Sequence, residues 1–327
     1  MSVSTKNATE NSLLQSKRII FAGTPDFAAV HLKALLDAGI RPVAVYTQPD
    51  RPAGRGHKLC PSDVKKLALE AGLEVYTPVN FKNEEDIKAF EELNADLCIV
   101  VAYGIILPQR IIDAAKFGFI NVHGSILPKY RGAAPIQRAL LDGESQTGVS
   151  IMKVALKLDA GDVYSVATTP IESTDTSGTL FDRLALLGAD TLLKTIPSIF
   201  DGSAVATPQD ETLTTYAAKI SKEESVLNFN QDAVVVDRTI RGLNPWPIAT
   251  TTLDGVKYKV FESKVINENT NATPGSIVGV DKEGINIACS KGVLKLVTIQ
   301  APGKGPVKAA DLARSHKDNF SVGKQFD

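Results

Sequence analysis

Short apolar runs alternate with amphipathic segments over the first two thirds of the chain. The pattern predicts strands at 18–22, 42–47, 74–77, 96–102, 117–123 and 148–154, with helices at 26–39, 61–71 and 83–94. The run DLCIVVA at 96–102 is apolar at nearly every position, which is typical of a strand buried on both faces of a sheet. This alternation predicts an α/β domain with a Rossmann-like, doubly wound, mostly parallel sheet covered by helices on both sides.

The pattern changes in the last third of the chain. It predicts a helix at 232–244 and then five short strands, with Asp254-Gly255 marking a hairpin turn. Short strands of this kind predict a small, OB-like β-barrel. We therefore expect a disordered tail at 1–17, the α/β domain at 18–200, a linker rich in Thr, Ser and Ala at 201–221, and the barrel at 222–327.

Composition narrows the classes of protein that fit. The chain has 327 residues and a net charge of −1, so any nucleic-acid surface must be local. Its three cysteines are far apart in sequence, which argues against a disulfide framework and favours a reducing compartment. No run approaches the ~18 apolar residues of a membrane span, and the N-terminus lacks the apolar core of a secretory signal. The bacterial cytoplasm is favoured over an organelle matrix.

Candidate chemistry begins where the strand 117–123 ends. Asn121 and His123 are two residues apart, so their side chains face the same side of the strand, at the edge where α/β sheets bind ligands. An amide can donate to an oxygen that gains negative charge, and a neutral imidazole can take or give a proton. The pair suits acyl transfer through a tetrahedral intermediate, although the spacing alone favours a histidine that only caps the strand through hydrogen bonds.

A carboxylate is expected nearby. Asp159 and Asp162 lie in LDAGDV at 158–163, just after the strand 148–154. A carboxylate there could orient His123 and stabilise its charged form. An Asx turn between two strands is the alternative interpretation.

Nucleotide-binding motifs are not matched in this chain. The stretch AGTPDF at 22–27 is not GxGxxG, and the chain has no GxxxxGK[ST], which disfavours an NAD or ATP enzyme.

The stretch NVHGSILPKYRGAAPIQRAL at 121–140, followed by LDAGDV, resembles the signature of the 10-formyltetrahydrofolate-dependent formyltransferases. Three further stretches are similar to the members of that family that act on methionyl-tRNA: FAGTPDFAAVHL at 21–32, TQPDRPAGRGHKLCPSDVK at 47–65 and RGLNPWPIA at 241–249. The resemblance runs from about Arg18 to near the C-terminus.

The resemblance implies transfer of a formyl group from 10-formyltetrahydrofolate to the α-amino group of methionyl-initiator tRNA, for translation initiation. It implies that the catalytic residues are Asn121, His123 and Asp159. The implied folate contacts are Ser125, Ile126, Leu127 and Pro128, with Ile126 replacing the commoner Leu. The implied tRNA contacts in the basic insert Asp50–Lys58 are Arg51, Arg55 and Lys58. No metal is required, and we expect a monomer.

Further tRNA contacts are expected from the predicted barrel. Four lysines occur there with no acid between them: Lys291, Lys295, Lys304 and Lys308. Two alternatives to the tRNA enzyme are a formyltransferase acting on an amino sugar nucleotide and a folate- or RNA-binding module without turnover. The first would lack the arginine-rich insert, and the intact catalytic residues argue against the second.

Overall fold

The structure, a computed structural model, describes residues 14–53, 58–266, 268 and 270–327. Its helices are α1 (Asp26–Asp37), α2 (Asp63–Glu70), α3 (Glu84–Glu92), α4 (Gln109–Ile112), α5 (Pro135–Asp142), α6 (Ser177–Phe200), α7 (Ala233–Gly242) and α8 (Ala309–Ser315). The strands before residue 220 are β1 (Ile19–Gly23), β2 (Ala44–Tyr46), β3 (Arg51–Ala53), β4 (Lys58–Cys60), β5 (Val75–Tyr76), β6 (Leu97–Val101), β7 (Phe119–His123), β8 (Arg131–Gly132), β9 (Gln146–Lys153), β10 (Val163–Pro170) and β11 (Tyr216–Ala217). The later strands are β12 (Ala249–Leu253), β13 (Val256–Ile266), β14 (Ile277–Val280), β15 (Ile285–Ala288), β16 (Val293–Gln300) and β17 (Val307–Lys308).

The first sheet has seven strands in the order β10-β9-β7-β6-β1-β2-β5. Every pairing from β5 through β2, β1 and β6 to β7 is parallel, whereas β9 runs antiparallel to β7. Strand β6 is buried along its whole length, as its uninterrupted apolar sequence predicts. The predicted mostly parallel sheet is therefore confirmed.

Helix α6 is absent from the elements that the sequence pattern predicts. Gly188 and Pro197 interrupt its apolar repeat, and both residues lie inside the helix. Gly188 has a packing role, because a Cβ there would lie 2.6 Å from Nε2 of the buried His31. A glycine that reads as a helix breaker in isolation thus allows close approach of α1 and α6.

The second sheet is antiparallel, in the order β12-β13-β16-β15-β14, with β17 added on β16. The predicted Asp254-Gly255 turn joins β12 to β13, and Asp254 and Gly255 both have positive φ. The last residues link the two edges of this sheet, since Phe326 bridges Leu253 and Gln325 bridges Ser276. The predicted antiparallel C-terminal fold is therefore confirmed.

The chain forms two compact units whose boundaries differ from the predicted ones. The described parts of 1–132 form the first unit with Thr147–Thr169 and Phe181–Ala217, and the second comprises Ala133–Gln146, Pro170–Leu180 and Ala218–Asp327. Helix α5 therefore packs in the second unit, where Leu141 lies against Gly242. Most of the segment predicted as a linker packs in the first unit through the pairing of β11 with β8. Local composition carries no information about such long-range pairing.

Residues 14–17, predicted as part of a disordered tail, pack on the first unit. Leu14 is buried, and the ammonium of Lys17 lies 5.8 Å and 5.3 Å from the ring centres of Phe117 and Phe200. An apolar anchor and two cation–π contacts account for this order. The remainder of the predicted tail, 1–13, lies outside the described residues. Within the described part of the chain, no helix has the length and apolar character needed to cross a membrane.

Candidate active site

Strand β7 brings Asn121 and His123 to the carboxyl edge of the parallel sheet. Asn121 pairs with Val100 of β6, and His123 is the last residue of the strand. His123 is 5% exposed, whereas Asn121 is half-buried. The Asn121 side chain makes no hydrogen bond to any described residue, so its NH₂ group is available to a ligand.

The hydrogen bonds of His123 decide which ring nitrogen can take a proton. Nε2 lies 2.9 Å from the carbonyl oxygen of Tyr130. A carbonyl only accepts, so Nε2 carries the hydrogen and the neutral ring has its lone pair on Nδ1. Nδ1 lies 3.7 Å from Oδ2 of Asp159, which is beyond a hydrogen bond but within the range of an ion pair once the ring is protonated.

Asp159 is fixed from its own side. Its Oδ2 accepts a hydrogen bond of 2.8 Å from the backbone N–H of Gly132. Gly132 has φ 120°, and a Cβ there would lie 2.8 Å from the carbonyl oxygen of Ala217. Only glycine fits this position without displacing β11. The second aspartate of the loop, Asp162, pairs instead with Lys153 at 3.5 Å.

The other described histidines differ from His123 in their surroundings. His31 is buried and bonds Phe27 O through Nδ1 at 2.7 Å, and burial lowers the pKa of His31 to about 4. His316 is exposed at the end of α8. His57 lies outside the described residues. Among the described histidines, His123 alone combines a position at the sheet edge with a facing carboxylate.

The turn predicted to contact folate is held mainly by internal bonds. Ser125 is fully buried and donates its hydroxyl to Lys129 O at 2.6 Å, and Ser150 donates to Ser125 O at 2.7 Å. Leu127 is also buried, while Ile126 and Pro128 are half-buried. The serine hydroxyl therefore stabilises the turn, and the half-buried members are the ones that present surface.

A groove of about 680 Å³ runs along the same edge of the sheet. Its walls come from the segments that follow β2, β5 and β6, and they include Gln48, Pro49, Arg51, Val79, Asn80, Phe81, Lys82, Gly104, Ile105, Ile106 and Pro108. Gln48 and Thr24 both donate to Tyr103 O, at 2.9 Å and 2.8 Å, and so tie the loops together. The pattern of strands and helices does not predict this groove, although the apolar residues after the strand 96–102 are a sequence signal for it.

The described ends of the basic insert pair with each other, with β3 antiparallel to β4. Pro52 lies in β3 opposite Leu59, which is compatible with a strand because proline is tolerated on edge strands. Arg51 and Lys58 are both exposed, and Arg51 also lines the groove. Arg55, the predicted key arginine, lies outside the described residues.

The barrel lysines divide into two kinds. Lys291, Lys304 and Lys308 are exposed, as a phosphate-binding role requires. Lys295 is buried and ion-paired with Asp281 at 2.8 Å and Glu283 at 3.1 Å, so the expectation that it contacts tRNA is corrected. Lys291 precedes β16, which begins at Val293, so Lys291 and Lys295 do not lie on one face of the same strand.

We expect Lys295→Met to lower the thermal midpoint of unfolding by about 2–4 °C at pH 7. The substitution removes the ion pairs with the partly exposed Asp281 and Glu283, whose loss should lower the free energy of unfolding by about 1 kcal/mol. The hydrogen bond from Lys295 lowers the pKa of Asp281 to about 2. A depressed carboxyl pKa contributes stability that is present above the unfolded value of about 3.9 and is lost as the pH falls through the folded value.

The difference between wild type and Lys295→Met should therefore shrink from pH 5 to pH 2 when thermal unfolding is followed by circular dichroism. Lys282→Met, at an exposed position of the same hairpin, is the control and should leave the midpoint unchanged. An undiminished difference at pH 2 would show that lost packing, not the ion pair, is responsible.

The sheet edge thus assembles an amide donor, an imidazole with a free Nδ1 facing a carboxylate, and a groove with apolar walls. The described residues contain no group of three or more His, Cys, Asp or Glu placed to hold a metal ion. Side chains of this kind define a site for acid–base transfer of an acyl group.

Two family models match the chain. The Formyl transferase model covers residues 17–196, and the Formyl transferase, C-terminal domain model covers residues 219–317. The chain therefore belongs to the formyl transferase family.

Solved structures share the fold at low sequence identity. WlaRD, a sugar 3N-formyl transferase, has a TM-score of 0.64 and 19% identity over 88% of this chain and 99% of its own. The N-formyltransferase from Helicobacter canadensis, in complex with folinic acid and dTDP-3-aminofucose, has a TM-score of 0.65 and 19% identity. The match covers 87% of this chain and 99% of that enzyme. HypX from Aquifex aeolicus, in complex with tetrahydrofolic acid, has a TM-score of 0.61 and 17% identity. The match covers 94% of this chain and 50% of HypX. This chain thus spans about half the length of HypX.

Proposed function

We propose that this protein transfers a formyl group from 10-formyltetrahydrofolate to the α-amino group of methionyl-initiator tRNA. The single observation that carries the proposal is the arrangement of His123, whose bond to Tyr130 O leaves Nδ1 free opposite Asp159. When bound, 10-formyltetrahydrofolate supplies the formyl group on its N10 nitrogen. Asn121 donates its amide N–H to the formyl oxygen, where negative charge develops.

His123 accepts the proton of the attacking amine at Nδ1, because Nε2 remains bonded to Tyr130 O. Asp159 stabilises the imidazolium through the charge on Oδ2. The same ring nitrogen then returns the proton to the departing nitrogen. The two groups that handle the proton are each held by a backbone partner, His123 by Tyr130 O and Asp159 by the N–H of Gly132.

The groove fits a folate. Its volume lies within the range of about 300–1,000 Å³ that small-molecule sites occupy, and Val79, Phe81, Ile105 and Ile106 give it apolar walls for aromatic rings. Lys82 lines the same groove and offers a cation to a folate carboxylate. Half-buried Ile126 and Pro128 add apolar surface beside His123.

The choice of tRNA as acceptor is supported by charge. Arg51 on β3 and Lys58 on β4 are exposed, and cations there suit a phosphate-rich ligand. On β13, Lys257 and Lys259 alternate with the buried Tyr258 and Val260, so the two lysines face away from the core. Lys308 extends this outward face, because it pairs with Thr298 while Lys259 pairs with Gln300 two residues further along β16.

We expect Lys259→Ala combined with Lys308→Ala to weaken tRNA binding and to flatten its dependence on salt. Each lost phosphate contact should reduce the slope of log affinity against log salt by about 0.7–0.9. Tetrahydrofolate affinity should stay unchanged. Filter binding of the tRNA across a salt series measures the slope.

The matched control is Lys33→Ala combined with Lys194→Ala, which removes the same charge from two lysines already paired with Asp37 and Asp190. The control should keep the wild-type slope. If both double variants changed the slope equally, net charge and not this face of the barrel would govern binding.

The proposed function is tested by offering labelled 10-formyltetrahydrofolate with three acceptors in parallel. They are methionyl-initiator tRNA, free methionine and dTDP-3-aminofucose, the sugar nucleotide bound in the Helicobacter canadensis structure. We expect label on the tRNA alone. Transfer to the sugar nucleotide without transfer to tRNA would replace this proposal with the amino-sugar alternative, and no transfer to any acceptor would favour the binding module.

A further inference from the structure

The segment predicted as a linker contributes a side chain to the catalytic loop. Residues 209–217 belong to the first unit, where Thr215 accepts from Arg131 N at 2.9 Å through its carbonyl and from Tyr130 N at 2.9 Å through its hydroxyl. This pairing places Gln209 between Arg131 and the loop that carries Asp159.

Every hydrogen-bonding group of the Gln209 amide is used. Oε1 accepts from Nη2 of Arg131 at 2.8 Å and from its Nε at 3.1 Å. Nε2 donates to the carbonyl oxygens of Asp159 and Gly161, both at 2.8 Å. A rotated amide would oppose donors to donors and acceptors to acceptors, so the network fixes a single orientation of Gln209.

Arg131 is a rigid support for this amide. Its side chain is fully buried, and Nη2 also donates to Oε1 of Glu211 at 2.9 Å. Lys157 donates to the other oxygen of the same carboxylate at 2.6 Å. Hydrogen bonds from Arg131 and Lys157 lower the pKa of Glu211 to about 2, so the carboxylate stays charged at any working pH. The guanidinium is therefore held by a permanent charge.

Asp159 needs such support because its backbone is in the left-handed region, at φ 46°. A non-glycine residue in a sparsely populated backbone region is strained and persists only where its surroundings hold it. The surroundings hold Asp159 at two points, with Gly132 N–H on the carboxylate and Gln209 on the carbonyl. Release of the carbonyl would let the peptide relax and move the carboxylate away from His123.

We propose that Gln209 is a positioning residue that holds the Asp159 carboxylate opposite Nδ1 of His123. This inference rests on the role given to Asp159 in the proposed function. Gln209 acts on the catalytic group only through the peptide of the loop. Gln209 accepts hydrogen bonds at Oε1 and donates them at Nε2. A glutamate of the same shape has no donor in its charged form.

The test replaces Gln209 with glutamate, which keeps the size but sets a carboxylate oxygen against two carbonyls. We expect kcat for formyl transfer to fall by about 10–10²-fold, the scale of a 1 Å misplacement, with KM for both substrates changed by less than about threefold. In a double-mutant cycle, Gln209→Glu should cost nothing further in an Asp159→Asn background. Additive losses would overturn the inference.

A second measurement requires no substrate. The amide proton of Gly132 donates to Asp159 Oδ2, so its NMR resonance reports the position of that carboxylate. Gln209→Glu should shift this resonance upfield, whereas the neighbouring amide of Arg131, bonded to Thr215 O, should stay in place. An unmoved Gly132 resonance in a folded variant would also overturn the inference.

Gln325→Glu is the matched control, because Gln325 also donates to a backbone carbonyl, that of Pro274, in the second unit. It should leave kcat and the Gly132 resonance unchanged. If the wild-type protein transferred no formyl group to methionyl-tRNA, the proposed function would fail while the Gly132 resonance still decided the role of Gln209. The two failures are therefore distinguishable.

Discussion

Replacement of His123 by alanine is expected to lower kcat for formyl transfer by about 10²–10⁴-fold, the usual worth of a positioned acid–base group. The reason is that Nδ1, the ring nitrogen left free by the bond to Tyr130 O, is the proposed site that holds the proton. Folding should survive, because His123 is the last residue of its strand and the substitution removes one side-chain hydrogen bond, that to Tyr130 O. Turnover is measured at saturating folate and tRNA, and folding by circular dichroism.

The control for His123→Ala is His316→Ala, which removes an exposed imidazole from the second unit and should leave turnover at the wild-type value. A His123→Ala protein that is folded and turns over normally would remove His123 from the mechanism. A folded variant with normal kcat but weak folate binding would make His123 a ligand-binding residue instead.

The sequence predicts the sheet of the first unit well because burial dictates it. Strands β1 and β6 are buried on both faces and must read as continuous apolar runs. The shared face of Asn121 and His123 follows from the two-residue period of a strand, and their place at the sheet edge follows from parallel topology. Short-range regularities of this kind are recorded in the local sequence.

Other features depend on partners that are distant in sequence. Lys295 reads as a free cation because the nearest residues along the chain are not acidic, yet the adjacent hairpin supplies Asp281 and Glu283. Gln209 reads as one polar residue in a Thr-rich segment until the pairing of β11 with β8 brings it to Asp159. The periodicity of the sequence does not predict such contacts. They are the reason why the expected roles of Lys295 and of the segment 201–221 had to be corrected.

The candidate site divides in the same way. The family resemblance leads us to expect Asn121, His123 and Asp159 as the catalytic side chains, while only the structure distinguishes Nδ1 from Nε2 of His123. The direction of proton transfer depends on these atomic choices. A mechanism at the level of atoms therefore requires the Tyr130 carbonyl, a backbone group that no side-chain motif can indicate.

Replacement of Asn121 by alanine is expected to lower kcat by about 10²–10³-fold, the cost of losing one donor to a developing oxyanion. Its amide makes no hydrogen bond to the described part of the chain, so its loss should leave the fold intact. Because the donor acts on charge that appears during the reaction, KM for folate and tRNA should change by less than about threefold. Steady-state kinetics at saturating co-substrate separates kcat from KM.

Asn121→Asp sharpens this test, because aspartate keeps the shape of the side chain and sets a negative charge against the oxygen that asparagine serves. It should be at least as inactive as Asn121→Ala, whereas a role in shape alone predicts near-normal turnover for the aspartate variant. Asn230→Ala, at an exposed position of the second unit, is the control and should behave as wild type. Loss of folate affinity with unchanged kcat in both Asn121 variants would assign Asn121 to binding and leave the oxyanion without a donor.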